Sequence, residues 1–305
     1  MNVSKSVLGV LFILCFSCEQ ELVIESPLSE NKPVLNSIFN SGEPFEVELT
    51  TTFSPYKEIK VVELKDAVVS IFEEDVFKET LSYQTSTDAH LGKYVSNFTP
   101  SQGKNYRIKV TAPNYDEVTA KSGVPSIVHF DKAKIIQNSV WSINNPDLLR
   151  YDFSFEINDP LEEDYYYLTI SSPIKRQNQQ TQEWELYTHQ YAEILISNLP
   201  DAKLYVNNGL IFTDQSFNGG KFQIKGTATT YVDARGAFDA TEGLVKDNSI
   251  MEVHLHHLSK EVYFFYISHA TSLLNQGDFY SEPGIIYSNI TNGFGIFGGE
   301  AIEQQ

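Results

Sequence analysis

From Pro33 onward the sequence alternates apolar and polar residues with a period of two, and this pattern limits the accessible folds more than any other feature. Phe45, Val47 and Leu49 interleave with Glu46, Glu48 and Thr50, and Tyr106, Ile108 and Val110 interleave with Arg107 and Lys109. Successive side chains of a strand point to opposite faces, so each segment has one wet face and one dry. Such strands pair antiparallel and bury the dry face against a second layer. Before Pro125, further strands are expected at 34–40, 67–72, 77–84, 92–98 and 117–124, separated by turn residues at 41–44, 73–75, 101–103 and 113–114. That spacing predicts a β-sandwich over residues 33–125, closed by Gly123-Val124-Pro125.

Residues 126–305 follow the same grammar, with strands expected at 130–137, 150–158, 165–171, 184–191, 221–226 and 251–258. The polar, Gln-rich stretch 175–183 predicts an exposed hairpin tip or loop. One segment departs from period two. Residues 260–276, opened by Ser259 as N-cap and closed by Gly277, predict a helix whose stripe of Val262, Phe265, Tyr266, His269, Leu273 and Leu274 packs on a sheet. At 305 residues the length favours two domains. The expected fold is all-β: two tandem antiparallel β-sandwich-like domains, 33–125 and 126–305, with one helix packed on the second.

Thiol chemistry is excluded from that body, because the two cysteines are Cys15 and Cys18. Residues 1–17 carry Lys5, then the apolar run 7–16, then Ser17, which is the form of a secretory signal peptide. Ten apolar residues are too few to span a bilayer, which needs about 20. A small residue before Cys18 and the polar Glu19-Gln20-Glu21 after it match a bacterial lipoprotein signal, so Cys18 is the expected acyl acceptor and the lipid the sole expected covalent group. Residues 18–32 then form an acidic tether with Glu19, Glu21, Glu25 and Glu30. Extended at roughly 3.3 Å per residue, it reaches about 45 Å from the membrane.

Forty acidic against 22 basic residues give a net charge of −18, which repels phosphate backbones and argues against a nucleic-acid partner. The run Gly293-Phe294-Gly295-Ile296-Phe297-Gly298 fits the G-x-G-x-x-G pattern, but seven residues follow it and a phosphate-binding helix does not fit there, so a glycine-rich strand or bulge is expected. His254 and His256 project to one side of a strand and are weak candidates for a metal pair; neither a third ligand nor a zincin spacing accompanies them, and no metal or other cofactor is expected. Ser268 and His269 are helix neighbours and do not face each other. The acidic clusters 73–75 and 159–164 lack the calcium-loop spacing and are expected to be solvated turn charges. The chain has no Walker A loop, no G-x-S-x-G elbow and no C-x-x-C, and a non-enzyme is expected.

Several short motifs, taken in order, resemble the Bacteroidota lipoprotein family known as domain of unknown function 4249. They are the Ser17-Cys18 lipobox, Pro33-Val34-Leu35-Asn36, Lys65-Asp66-Ala67-Val68-Val69, Gly92-Lys93-Tyr94, Gly103-Lys104-Asn105-Tyr106-Arg107-Ile108 and Gly123-Val124-Pro125. Phe212-Thr213-Asp214, Phe217-Asn218-Gly219 and Tyr287-Ser288-Asn289-Ile290 continue the series. The stretch 65–110 is also similar to transthyretin-like and carboxypeptidase-regulatory sandwiches, which implies an immunoglobulin/transthyretin-like, non-catalytic first domain. The resemblance implies a lipid-anchored protein of the outer membrane, displayed on the extracellular face as an accessory subunit docked on an outer-membrane β-barrel protein, either a TonB-dependent transporter or the barrel-assembly machinery. Trp141, Trp184, Tyr187 and Tyr191 are the candidate contact residues, since aromatics dominate interface hot spots. A surface module for glycan or peptide is the alternative. A hydrolase would require strongly perturbed carboxylates or a metal in a cleft, neither of which is expected.

Overall fold

The computed structural model describes residues 31–53, 61–86, 91–138, 148–178, 180–199, 201–231, 244–246, 251–275 and 284–305. The expected signal segment, Cys18, nearly all of the expected tether, Trp141 and the expected helix end at Gln276 and Gly277 lie outside the described residues. Lys32–Thr52 and Val61–Gln305 form one compact unit.

In chain order the strands are β1 (Pro33–Asn40), β2 (Glu46–Thr51), β3 (Val68–Glu73), β4 (Val76–Thr80), β5 (Ser82–Gln84), β6 (Lys93–Val95), β7 (Asn105–Thr111) and β8 (Val118–Gly123). Then come β9 (Phe130–Gln137), β10 (Leu148–Asn158), β11 (Tyr165–Gln177), β12 (Trp184–Tyr191), β13 (Glu193–Ile196), β14 (Lys203–Leu204), β15 (Leu210–Thr213) and β16 (Lys221–Tyr231). β17 (Leu244–Lys246), β18 (Glu252–Leu258), helix α1 (Lys260–Asn275) and β19 (Phe294–Gln304) complete the order. The fold is all-β and sandwich-like with one packed helix, as the alternation predicts.

One long sheet runs β14-β15-β11-β18-β19-β1-β2-β6-β5, with β12 and β17 pairing the far end of β11. Sheet β4-β3-β7-β8 packs on its β1–β2 side, and sheet β13-β16-β10-β9 packs on its β11–β18 side. The two sandwiches therefore share a layer. The joint is β19, which pairs antiparallel with β18 and parallel with β1, Val34 opposite Phe294 and Asn40 opposite Glu300. This parallel pair is the departure from the wholly antiparallel expectation. The glycine-rich run is a strand because close backbone approach requires it: Gly295 has φ +110°, and a Cβ there would overlap the carbonyl oxygen of Leu35.

The first core gathers Leu35, Phe39, Phe45, Val47, Val69, Ile71, Tyr106 and Ile108, joined by Ile290 and Phe297 from the C-terminal segment. Phe39 lies 4.7 Å from both Phe45 and Phe297, centroid to centroid. Such ring pairs add about 0.5–1.5 kcal/mol beyond the area they bury. The second core lies between β10, β16 and β9 on one side and Tyr166, Leu168, Ile170, Val253 and Leu255 on the other. β11 is buried on both faces over its first ten residues, because its odd-numbered Tyr165 and Tyr167 meet α1 through Ile211, Leu258 and Val262. A doubly covered strand loses its alternation, which explains the unbroken apolar run Tyr165 to Leu168.

Ser259 caps α1 as expected, its Oγ accepting from the Val262 N–H at 3.4 Å. The packed stripe, however, is Val262, Tyr263, Tyr266, Ile267 and Ala270, whereas Leu274 is 82% exposed and Leu273 also faces solvent. The stripe is rotated because Tyr167, Tyr205 and Tyr266 pack edge-to-face and tilted against one another under the helix and set its roll. Strand β11 also runs six residues further than expected, pairing with β12 through its polar end, and Asn178 closes the hairpin by accepting from the N–H groups of Gln180 and Thr181.

Candidate functional site

Three aspartates from three different positions meet at one end of the second sandwich. Asp159 follows β10, Asp164 precedes β11 and Asp214 follows β15. Their relative exposures are 5%, 6% and 1%, and carboxylate oxygens from the three lie within 4.8 Å of one another. The expectation of solvated turn charges for 159–164 is thereby corrected: Leu161, Glu162 and Glu163 take the solvent-facing positions, while the two flanking aspartates turn inward. The β10–β11 loop permits this because Asp159 and Asp164 are its first and last residues, each fixed to a neighbouring backbone. The Asp159 N–H donates to the Gly220 carbonyl at 2.9 Å, and the Asp164 carbonyl accepts from the Asp214 N–H at 3.2 Å.

Asp159 is held twice. Its Oδ1 accepts from the Tyr166 hydroxyl at 2.5 Å and its Oδ2 from the Gly219 N–H at 2.9 Å. Asp164 Oδ1 lies 2.8 Å from His257 Nε2, and His257 Nδ1 lies 2.7 Å from the Ser126 carbonyl oxygen. A carbonyl only accepts, so Nδ1 is the donor in the contact with Ser126. Asp164 Oδ2 and Asp214 Oδ2 are buried with no hydrogen-bond partner. Burial is the main cause raising the pKa of both Asp159 and Asp214, with the neighbouring aspartates adding to it. Against the expectation from sequence, the protein therefore contains perturbed carboxylates. Tyr166 is pushed up too, by burial first and then by its bond to Asp159. Its ring stacks against His257 at 5.3 Å and Phe212 at 5.4 Å, so an aromatic wall backs the carboxylates. A cleft of about 610 Å³ lined by Pro160, Glu162, Glu163, Asp164 and His257 adjoins them.

The acidic cluster at 73–75 is different. Glu74 and Asp75 occupy positive-φ positions of the β3–β4 hairpin turn, and Asp75 pairs with Arg107 at 2.9 Å and Lys121 at 3.3 Å. His254 and His256 do share a face of β18, but they lie against different carboxylates: His256 Nδ1 lies 2.9 Å from Glu300, and His254 Nε2 lies 3.5 Å from a Glu252 oxygen that His189 approaches to 3.0 Å. Burial, then the charge of His256, lowers the His254 pKa. Among the described residues, Asp159, Asp164 and Asp214 are the group whose ligand atoms converge for one metal ion. Trp184 and Tyr187 are exposed on β12, at 51% and 42%, with Leu186 between them, and Tyr191 is half-buried at the other end of the strand.

A family model described as Domain of unknown function (DUF4249) matches residues 19–305. The chain belongs to that family. Comparison with curated proteins finds no match.

In this DUF4249 protein, two of the motifs that carried the resemblance build the aspartate site. Phe212-Thr213-Asp214 supplies one carboxylate and one wall ring, and Phe217-Asn218-Gly219 supplies the N–H that holds Asp159. Sequence reasoning missed Asp214 because the four-residue β15 has no alternation to mark it. It missed His257 by attending to His254 and His256. The signal was present: residue 257 shares parity with Val253 and Leu255, so its imidazole belongs to the dry face.

Proposed function

We propose that this DUF4249 protein is a lipid-anchored, non-catalytic surface subunit that docks on an outer-membrane β-barrel protein. The anchor is an acyl chain on Cys18, in a lipobox of the relaxed kind found in Bacteroidota lipoproteins. The observation that carries the docking half of the reading is the exposed apolar row Trp184, Leu186 and Tyr187 on the β11–β12 ribbon. Tyr187 is the extra residue where the register shifts between Ile174 and Lys175, and the Arg176 guanidinium lies 5.6 Å from its ring centroid. A bulge of this kind re-aims a side chain, and an aromatic beside an arginine is the composition of interface hot spots. Tethering raises the effective concentration of a neighbour to about the millimolar range, so a small contact of this kind suffices.

Affinity purification from native outer membranes tests the reading. A barrel protein is expected in stoichiometric amount, and joint Trp184→Ala and Tyr187→Ala replacement is expected to lose it while leaving the melting temperature within about 2 °C, since exposed side chains carry little stability. A purified protein without fatty acid, or membranes that yield no barrel, would overturn it.

A further inference from the structure

We infer that Asp159, Asp164 and Asp214 bind a calcium ion, a site that goes beyond the docking role and stands independently of it. Two carboxylate oxygens, Asp164 Oδ2 and Asp214 Oδ2, are buried in residues 6% and 1% exposed and have no hydrogen-bond partner. An unsatisfied buried carboxylate oxygen loses its hydration without replacement, and a fold keeps such groups where something else satisfies them. The three side chains already converge within 4.8 Å. Oxygens that lie within 4.8 Å of one another can all reach one calcium ion at about 2.3–2.6 Å, and calcium tolerates the irregular geometry of three separate loop and strand-end carboxylates better than magnesium, which demands a near-ideal octahedron. The donors are all oxygen, which favours a hard cation over zinc or copper. Calcium takes six to eight oxygens, so water completes the shell.

The surroundings fit the same occupant. Tyr166 and Gly219 fix the orientation of Asp159, and His257, itself anchored on Ser126, fixes Asp164, as outer partners commonly do around a metal. Glu162, Glu163 and Asp164 outnumber Lys260 among the charged side chains that line the adjoining cleft, so its mouth favours a cation.

Terbium, which replaces calcium and luminesces when a nearby tyrosine is excited, reads the site directly because the Tyr166 hydroxyl is 2.5 Å from Asp159. The full chain in detergent should show tyrosine-sensitised terbium emission, displaced by calcium at about 1 mM or below and by magnesium only at concentrations at least ~10-fold higher. Calcium should also raise the melting temperature by about 4 °C or more relative to chelator. Asp214→Asn and, as a second variant, Asp159→Asn should each cut the emission at least ~10-fold, whereas Glu74→Gln, in the hairpin-turn cluster, should leave it unchanged. Emission that survives both aspartate variants, or a wild-type chain with neither emission nor a calcium-dependent melting temperature, would overturn the assignment. So would a melting temperature that responds to acid alone, because protons would then be neutralising the cluster.

Discussion

Glu63 shows how far a single half-buried carboxylate is committed to its neighbours. Lys65 lies 2.8 Å from it, the Tyr83 hydroxyl donates to it at 2.6 Å and the Gly92 N–H at 3.2 Å. The bond to Lys65, then those to Tyr83 and Gly92, hold its pKa at about 2. Because the folded value lies below the unfolded one, its contribution to stability is complete above the ordinary glutamate range and is lost as pH falls toward 2. Tyr83→Phe should raise the Glu63 midpoint in an NMR titration and move the acid-unfolding midpoint to higher pH; an unmoved midpoint would remove Tyr83 from the network. None of this is legible in the sequence, where Glu63 and Tyr83 are simply polar positions 20 residues apart. The aspartate site was half legible for the same reason. Asp159 and Asp164 stand out as an acidic loop, but whether a loop carboxylate points outward or inward depends on partners such as Gly219 and His257, which no local pattern brings together.

At the scale of elements, alternation was a reliable guide wherever one face stays wet. Phe45, Val47 and Leu49 are all buried, and the expected strand 130–137 coincides with β9. It failed for β13, β14, β15 and β17, which are two to four residues long and owe their existence to a neighbouring strand rather than to their own composition. It also could not reveal the parallel partner of β19, because register and direction across some 260 residues are set by packing. Gly295→Val tests that pairing. A β-branched side chain at φ +110° that also meets the Leu35 carbonyl should cost at least about 2 kcal/mol in urea denaturation. A neutral substitution would mean that β1 and β19 do not approach as described.

For the whole molecule, the continuous sheet makes the two cores interdependent. Phe297 sits in one core while the same strand pairs with β18, whose Val253 and Leu255 line the other. Chemical unfolding followed by tryptophan fluorescence and by far-UV circular dichroism should therefore give one coincident transition; two separated transitions would show that the sandwiches unfold independently. The position of β19 has a further consequence for how the chain is made. Synthesis delivers the central strand of the common layer after both strands it must join, so until it arrives β1 and β18 present open hydrogen-bonding edges to whatever is nearby. The common layer cannot be completed stepwise as the chain emerges. It closes only when β19 slots between β1 and β18, and until that moment the exposed edges are where mispairing with another chain would begin.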